Sequence, residues 1–143
     1  MWLPFAVAGG TLIVAGGLVS AVNGATPFAH GSWLAAYLVL VGGVSQVALG
    51  LGPPALAAPE PSARRTRAQL VLWNAGSLVV PAGVLSGLSG LVVAGSVALL
   101  AALSGFAIGA RRAAGRRGGA LAYRALVAAL GVSVFVGLAL AVA

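Results

Sequence analysis

A run of 42 residues without a charged side chain, from Gln69 to Ala110, constrains this chain more than any other feature. A single helix of that length would be about 63 Å long at 1.5 Å per residue, roughly twice the hydrocarbon core of a bilayer. The run must therefore fold back on itself. Small residues at 86–90 (Ser-Gly-Leu-Ser-Gly) permit a tight reversal. The sequence thus predicts two membrane spans here, near 69–85 and 91–110.

The composition agrees with a protein that lies mostly in lipid. Of the 143 residues 61% are hydrophobic, and the mean hydropathy is +1.11. A soluble domain usually carries about 25% charged residues, whereas only 6% are charged here. All eight cations are arginine, which is typical of a high-GC bacterial genome. They lie in short segments between apolar runs, so lipid headgroups and topology explain them, and nucleic acid is not an expected partner.

Three further spans complete the expected bundle, near 3–22, 32–51 and 120–143. The first ends at the turn-rich residues 23–27, and the second is expected to stop at Pro53 and Pro54. The N-terminus lacks the positive charge of a secretory signal, so we expect the first span to be retained. The fold class predicted is an all-α, polytopic integral membrane bundle with five transmembrane helices in one domain, 1–143.

The arginines predict the orientation of that bundle. With five spans, every arginine falls on the same side of the membrane, and the segments on the other side carry none. By the positive-inside rule this places the N-terminus in the cytoplasm and the C-terminus outside, in a bacterial inner membrane. The residues assigned to this topological and headgroup role are Arg64, Arg65, Arg67, Arg111, Arg112, Arg116, Arg117 and Arg124.

Polar residues inside the spans predict one internal contact. Gln46 and Asn74 lie at similar depth in the second and third spans, so we expect them to face each other or to share a hydrogen-bonding partner. Asn74, Ser77 and Pro81 form one polar stripe, and Pro81 is expected to kink its helix because it cannot donate to the carbonyl of Ser77. The stripe fits either contacts between helices or a polar permeation path.

Small residues at four-residue spacing predict close helix packing. Such pairs are Gly83 with Gly87, Gly105 with Gly109, and Ser133 with Gly137, and glycines at 42 and 50 flank Gln46 on one face. These pairs fit packing within the bundle or a homodimer seam.

The chain holds few groups that could do chemistry. It has one Glu and one His and lacks Asp, Lys and Cys, so an enzyme and a metal site built from several side chains are not expected. Glu60 reads as a solvated charge. His30 reads as an interfacial anchor beside Trp33 and Tyr37, or as an axial haem ligand. The other candidate ligand, Met1, is expected at the opposite face, roughly 30 Å away, so His30 could share a haem only with His30 of a second copy in a dimer.

A resemblance to known haem proteins rests on two stretches, AHGSWLAAYLVLVGGVSQ and LWNAGSLVVPAG. These resemble paired helices of NnrS and of subunit I-like proteins of the haem–copper oxidase superfamily, over about residues 29–83. Those families bind haem or copper through several histidines. The resemblance implies a haem-related or respiratory setting, with His30 as the corresponding ligand.

The sequence therefore supports three functional hypotheses. The first is a non-catalytic accessory or assembly subunit that packs against a larger membrane complex or against itself. The second is a haem-binding or electron-transfer-associated protein that uses His30, if necessary across a dimer. The third is a small transporter or channel built on the polar stripe.

Overall fold

The computed structural model describes residues 2–56, 61–111 and 117–142, and within these residues it is all-helical. Five helices in these described ranges are long and apolar enough to cross a membrane, which confirms the predicted multi-pass helical bundle. The helices are α1 (Leu3–Ala25), α2 (Gly31–Tyr37), a π-helical segment (Leu38–Val44), α3 (Ser45–Ala55), α4 (Ala63–Ser86), α5 (Ser89–Arg111) and α6 (Arg117–Val142). α2, the π-helical segment and α3 are continuous and form the second span.

The second span differs from its prediction in two ways. It continues through Pro53 and Pro54 to Ala55, although these prolines were expected to end it. Its middle is π-helical, with the Ser45 hydroxyl donating to the carbonyl of Leu40, five residues back, at 2.7 Å. A π segment inserts extra backbone into a helix and occurs often at functional sites.

α4 begins earlier than predicted because Ser62 caps it. The Ser62 hydroxyl accepts a hydrogen bond from the Arg65 amide at 3.3 Å, as an N-cap residue does. Arg64, Arg65 and Arg67 therefore lie in the first turns of α4, ahead of the span predicted near 69–85.

A tight turn joins α4 to α5 at the predicted position. Gly87 adopts φ +68°, a left-handed C-terminal cap that glycine accommodates without steric cost. Farther along, the two helices approach backbone to backbone: a Cβ added at Gly76 would lie 2.7 Å from the carbonyl oxygen of Gly95. This hairpin forms the centre of the bundle.

The remaining helices pack on either side of that hairpin. α6 packs along α5, while α1 packs along the second span. The α1 contact is close because Gly9 and Gly16 face Val47 and Val39 so tightly that added Cβ atoms would approach them within 2.7 Å. α1 consequently lies at the edge of the bundle, next to the second span.

The ends of the bundle are named here by their chemistry. The arginine end is where α3 and α5 finish and α4 and α6 begin. The opposite end holds the turns at residues 26–30 and 87–88.

Candidate functional site

The arginine end is closed by a contact between α6 and α3. The ring of Tyr123 occupies the space above Gly52, and its hydroxyl donates to the buried carbonyl of Leu49 at 3.2 Å. That carbonyl lacks its usual helical donor because residue 53 is proline, which has no N–H. Tyr123 thus satisfies the carbonyl that Pro53 frees, which explains how the second span continues through its prolines.

Two arginines donate to carbonyls of α5 from neighbouring helices. The Arg65 guanidinium donates to the carbonyl of Gly105 at 2.6 Å, and Arg124 donates through Nε and Nη2 to the carbonyl of Ala110 at 3.3 and 3.2 Å. The Ala110 carbonyl lies in the last turn of α5, where carbonyls lack intrahelical donors and carry partial negative charge, so Arg124 stabilises the helix end. Gly105 lies before that last turn, and Arg65 joins the start of α4 to α5 there.

A cavity of about 530 Å³ lies toward the opposite end, between the second span and α6, with α4 and α5 as its floor. We call it the α2–α6 cleft. Most of the lining surface is apolar. The lining residues are Trp33, Tyr37, Val41, Val80, Gly83, Val84, Gly87, Ser89, Val92, Ser96, Leu99, Leu130, Ser133, Val134, Gly137, Leu140 and Ala141.

The cleft follows from the way the helices diverge. α6 meets α3 near the arginine end, through Tyr123 on Leu49 and through Gly119, whose added Cβ would lie 3.1 Å from Leu56. Toward the opposite end α6 continues along α5, whereas α2 packs on α1. The space between α2 and α6 is therefore left unfilled by protein.

Tyr37 supplies the most distinctive polar atom of the cleft. Its ring packs on that of Trp33, one turn closer to the opposite end, with 5.2 Å between centroids. Its hydroxyl is buried and has no hydrogen-bond partner among the described residues. A buried hydroxyl without a partner costs free energy, so an acceptor that reached this atom would remove that cost.

The polar residues predicted to meet in the bundle are not joined by a hydrogen bond. Gln46 is completely buried, and both atoms of its amide are without a partner among the described residues. The Asn74 amide instead donates to the carbonyl of Leu70 in its own helix, at 2.8 Å. The two residues therefore share no hydrogen-bonding partner among the described residues, because the carbonyl one turn back satisfies Asn74 locally. That the two side chains face each other stays a prediction.

Ser77 and Pro81 lie inside α4, which extends unbroken from Ala63 to Ser86. Both residues are buried, and the Ser77 hydroxyl is without a partner among the described residues, as is the indole N–H of Trp73. Neither residue lines the α2–α6 cleft. The kink expected at Pro81 stays a prediction.

His30 occupies a strained turn at the opposite end. It precedes α2 with φ +65°, the left-handed region that non-glycine residues rarely adopt, and its side chain is exposed and makes no capping hydrogen bond. Asn23 holds this turn by accepting from the amide of Phe28 and donating to the hydroxyl of Ser32. The described residues bring no group of three potential metal ligands together.

Some predicted residues fall outside the described part of the chain. Met1, Glu60, Arg112 and Arg116 lie there, and for Arg117 only its place at the start of α6 is described. Of the glycine pairs, Gly83 and Gly105 pack on neighbouring helices, whereas an added Cβ at Gly109 or Gly137 would meet nothing within 4 Å.

Sequence reasoning did not find Tyr123, Gly52 or the α2–α6 cleft. The pairing of Tyr123 with Gly52 joins residues 71 positions apart and follows no local pattern. The Pro53-Pro54 pair carried a usable signal, because a proline inside a membrane helix requires a donor from elsewhere.

Compared with known proteins, the chain matches no protein-family model, no curated protein and no solved structure.

Proposed function

We propose that this protein is a non-catalytic accessory or assembly subunit of a membrane complex, and that it docks through the outer face of α1. The observation that carries the proposal is a second line of glycines on that helix. Gly10, Gly17 and Gly24 recur every seven residues on α1, and an added Cβ at any of them would meet nothing within 4 Å.

The two glycine lines of α1 differ in what they face. Gly9 and Gly16 are buried against the second span, where their lack of a side chain permits close approach. Gly10 and Gly17 occupy the next positions along the helix and face away from that contact. Glycine in a helix interior costs about 1 kcal/mol relative to alanine. In lipid, small residues are the usual means by which helices approach each other.

The position of α1 in the bundle also favours docking of a partner helix on its outer face. α1 lies at the edge of the bundle, and 17% of its membrane window is buried within the described chain. The window of α6 is less buried still, at 6%, but the glycines of α6 do not recur every seven residues. Its outer face carries large apolar side chains around the glycines, among them Val14 and Leu18. A transmembrane helix of a partner could pack there without rearranging the bundle.

The proposal includes the orientation of the bundle in the membrane. Eight arginines and the positive-inside rule favour a cytoplasmic arginine end, a cytoplasmic N-terminus and an external C-terminus in a bacterial plasma membrane. The resemblance of residues 29–83 to haem–copper oxidase subunit I-like proteins favours a respiratory partner.

The experiment is a comparison of glycine variants in native membranes. The double variant Gly10→Leu/Gly17→Leu should fold normally but leave the complex, which native gel electrophoresis of membranes solubilised in mild detergent would detect. Gly131→Leu is the matched control, since an added Cβ at Gly131 also meets nothing within 4 Å. Gly9→Leu should instead unfold the protein by separating α1 from the second span.

The result that overturns the proposal is a protein that migrates as a lone monomer at its native level. A complex unchanged in the Gly10→Leu/Gly17→Leu variant would also overturn docking through α1. A complex of twice the monomer mass that is lost in this variant would support the proposal, with a second copy as the partner.

A further inference from the structure

We propose that the α2–α6 cleft binds one acyl chain of a membrane phospholipid, and that the ester carbonyl of that lipid accepts a hydrogen bond from the Tyr37 hydroxyl. This site is separate from the docking face on α1 and does not depend on the function proposed above.

The volume and lining of the cleft fit an acyl chain. At about 530 Å³ the cavity falls within the range of small-molecule sites, about 300–1,000 Å³. Its walls are formed mainly by aliphatic side chains such as Val41, Leu99 and Val134, and none of the lining residues is charged. An apolar cavity does not hold water well, and within a bilayer the molecules available to fill it are lipid chains.

The depth of Tyr37 fits the ester group of the same lipid. The second span has 25 residues, or about 37 Å, so about 4 Å extends beyond a 30 Å hydrocarbon core at each end. The Tyr37 backbone lies about 9 Å from the start of α2, roughly 5 Å inside that core. Helical side chains lean toward the N-terminus, so the phenol points back toward the headgroup boundary, where ester carbonyls lie.

The neighbouring ring supports this placement. Trp33 packs on Tyr37 and also lines the cleft. Tryptophan and tyrosine are enriched at the boundary between hydrocarbon and headgroups. The mouth of the cleft therefore lies at that boundary. The Tyr37 hydroxyl, which has no hydrogen-bond partner in the described part of the chain, lies near the depth at which a lipid carries its acceptor.

The test uses photolabelling in vesicles. The full chain is reconstituted in phosphatidylglycerol vesicles that contain a small fraction of phosphatidylglycerol with a diazirine in one acyl chain, and labelled residues are mapped after illumination. We expect labelling of cleft residues on α6, such as Ser133 and Val134. Gly137→Phe should abolish it by filling the cleft, whereas the matched variant Gly131→Phe, on the same helix but outside the cleft lining, should retain it.

A second variant isolates the hydrogen bond. Tyr37→Phe keeps the ring and removes the hydroxyl, and should lower cleft labelling about threefold, the ratio given by an average hydrogen bond between membrane helices. Should Gly137→Phe fail to fold, Ser133→Leu occupies part of the same space with a smaller change.

Three results would overturn the proposal. Equal labelling in Gly137→Phe and Gly131→Phe would show that the label comes from mobile lipid around the protein and not from a lipid bound in the cleft. Unchanged cleft labelling in Tyr37→Phe would show that the Tyr37 hydroxyl does not donate to the ester carbonyl of the lipid. Loss of cleft labelling when an isoprenoid quinone is added to these vesicles at the same small mole fraction as the diazirine lipid would assign the cleft to a quinone.

Discussion

Removing one hydroxyl, in Tyr123→Phe, tests how the second span passes through its prolines. Tyr123 donates to the carbonyl of Leu49, a residue that is completely buried. Pro53 provides no N–H to this carbonyl. The substitution keeps the ring in its place over Gly52 and leaves the carbonyl without a donor in a region that water does not reach.

The loss of stability caused by Tyr123→Phe depends on whether the Leu49 carbonyl finds another hydrogen-bond donor. An unsatisfied buried carbonyl costs about 1–3 kcal/mol, while hydrogen bonds between membrane helices contribute about 0.6 kcal/mol on average because partners are usually found elsewhere. At Leu49 the usual replacement is missing, so we expect Tyr123→Phe to lower the free energy of unfolding by about 1.5 kcal/mol. In a protein that carries Pro53→Ala, residue 53 regains its N–H and can donate to the Leu49 carbonyl. Tyr123→Phe should then lower the free energy of unfolding by only about 0.5 kcal/mol.

The measurement is a double-mutant cycle. Wild type, both single variants and Tyr123→Phe/Pro53→Ala are unfolded by SDS titration in mixed micelles and followed by circular dichroism. A coupling of about 1 kcal/mol between residues 123 and 53 is expected, the difference between the two costs. Coupling within experimental error of zero would refute the reasoning, because Tyr123 would then not replace the donor that Pro53 lacks.

Three other variants test further parts of the structure. His30→Gly should raise the free energy of unfolding by about 1 kcal/mol, because glycine adopts φ +65° without steric cost; a thermal unfolding midpoint equal to or below wild type would contradict this. Gly76→Ala should destabilise the α4–α5 hairpin by about 1–3 kcal/mol through the clash with Gly95, whereas Gly109→Ala, where an added Cβ meets nothing, should be neutral or stabilising in the same SDS titration. Arg124→Met retains an apolar stem but loses both hydrogen bonds to the end of α5; it should increase amide exchange in the last turn of α5, and unchanged exchange would argue against the capping role.

The number of spans and the reversal at residues 86–90 were predictable because they depend on length and local chemistry. A charge-free run about twice as long as the bilayer core has to turn, and small residues mark where it can. The confinement of the arginines to segments beside the apolar runs has the same local origin. Each of these features can be read over a few neighbouring residues.

The path of the second span and the candidate site depended on contacts between distant residues. A proline such as Pro53 ends a helix when the carbonyl that it leaves without a donor finds no other. Tyr123, 70 residues later, donates to that carbonyl of Leu49, so the helix continues. The hydrogen bond expected between Gln46 and Asn74 does not form, because the Asn74 amide donates to the Leu70 carbonyl in its own helix, a local alternative that similar depth in the membrane does not reveal. The α2–α6 cleft forms where α2 follows α1 while α6 follows α5. The sequence alone determined how many helices are long and apolar enough to cross a membrane, whereas tertiary packing decided where they diverge, because the divergence depends on the fit of side chains from different helices.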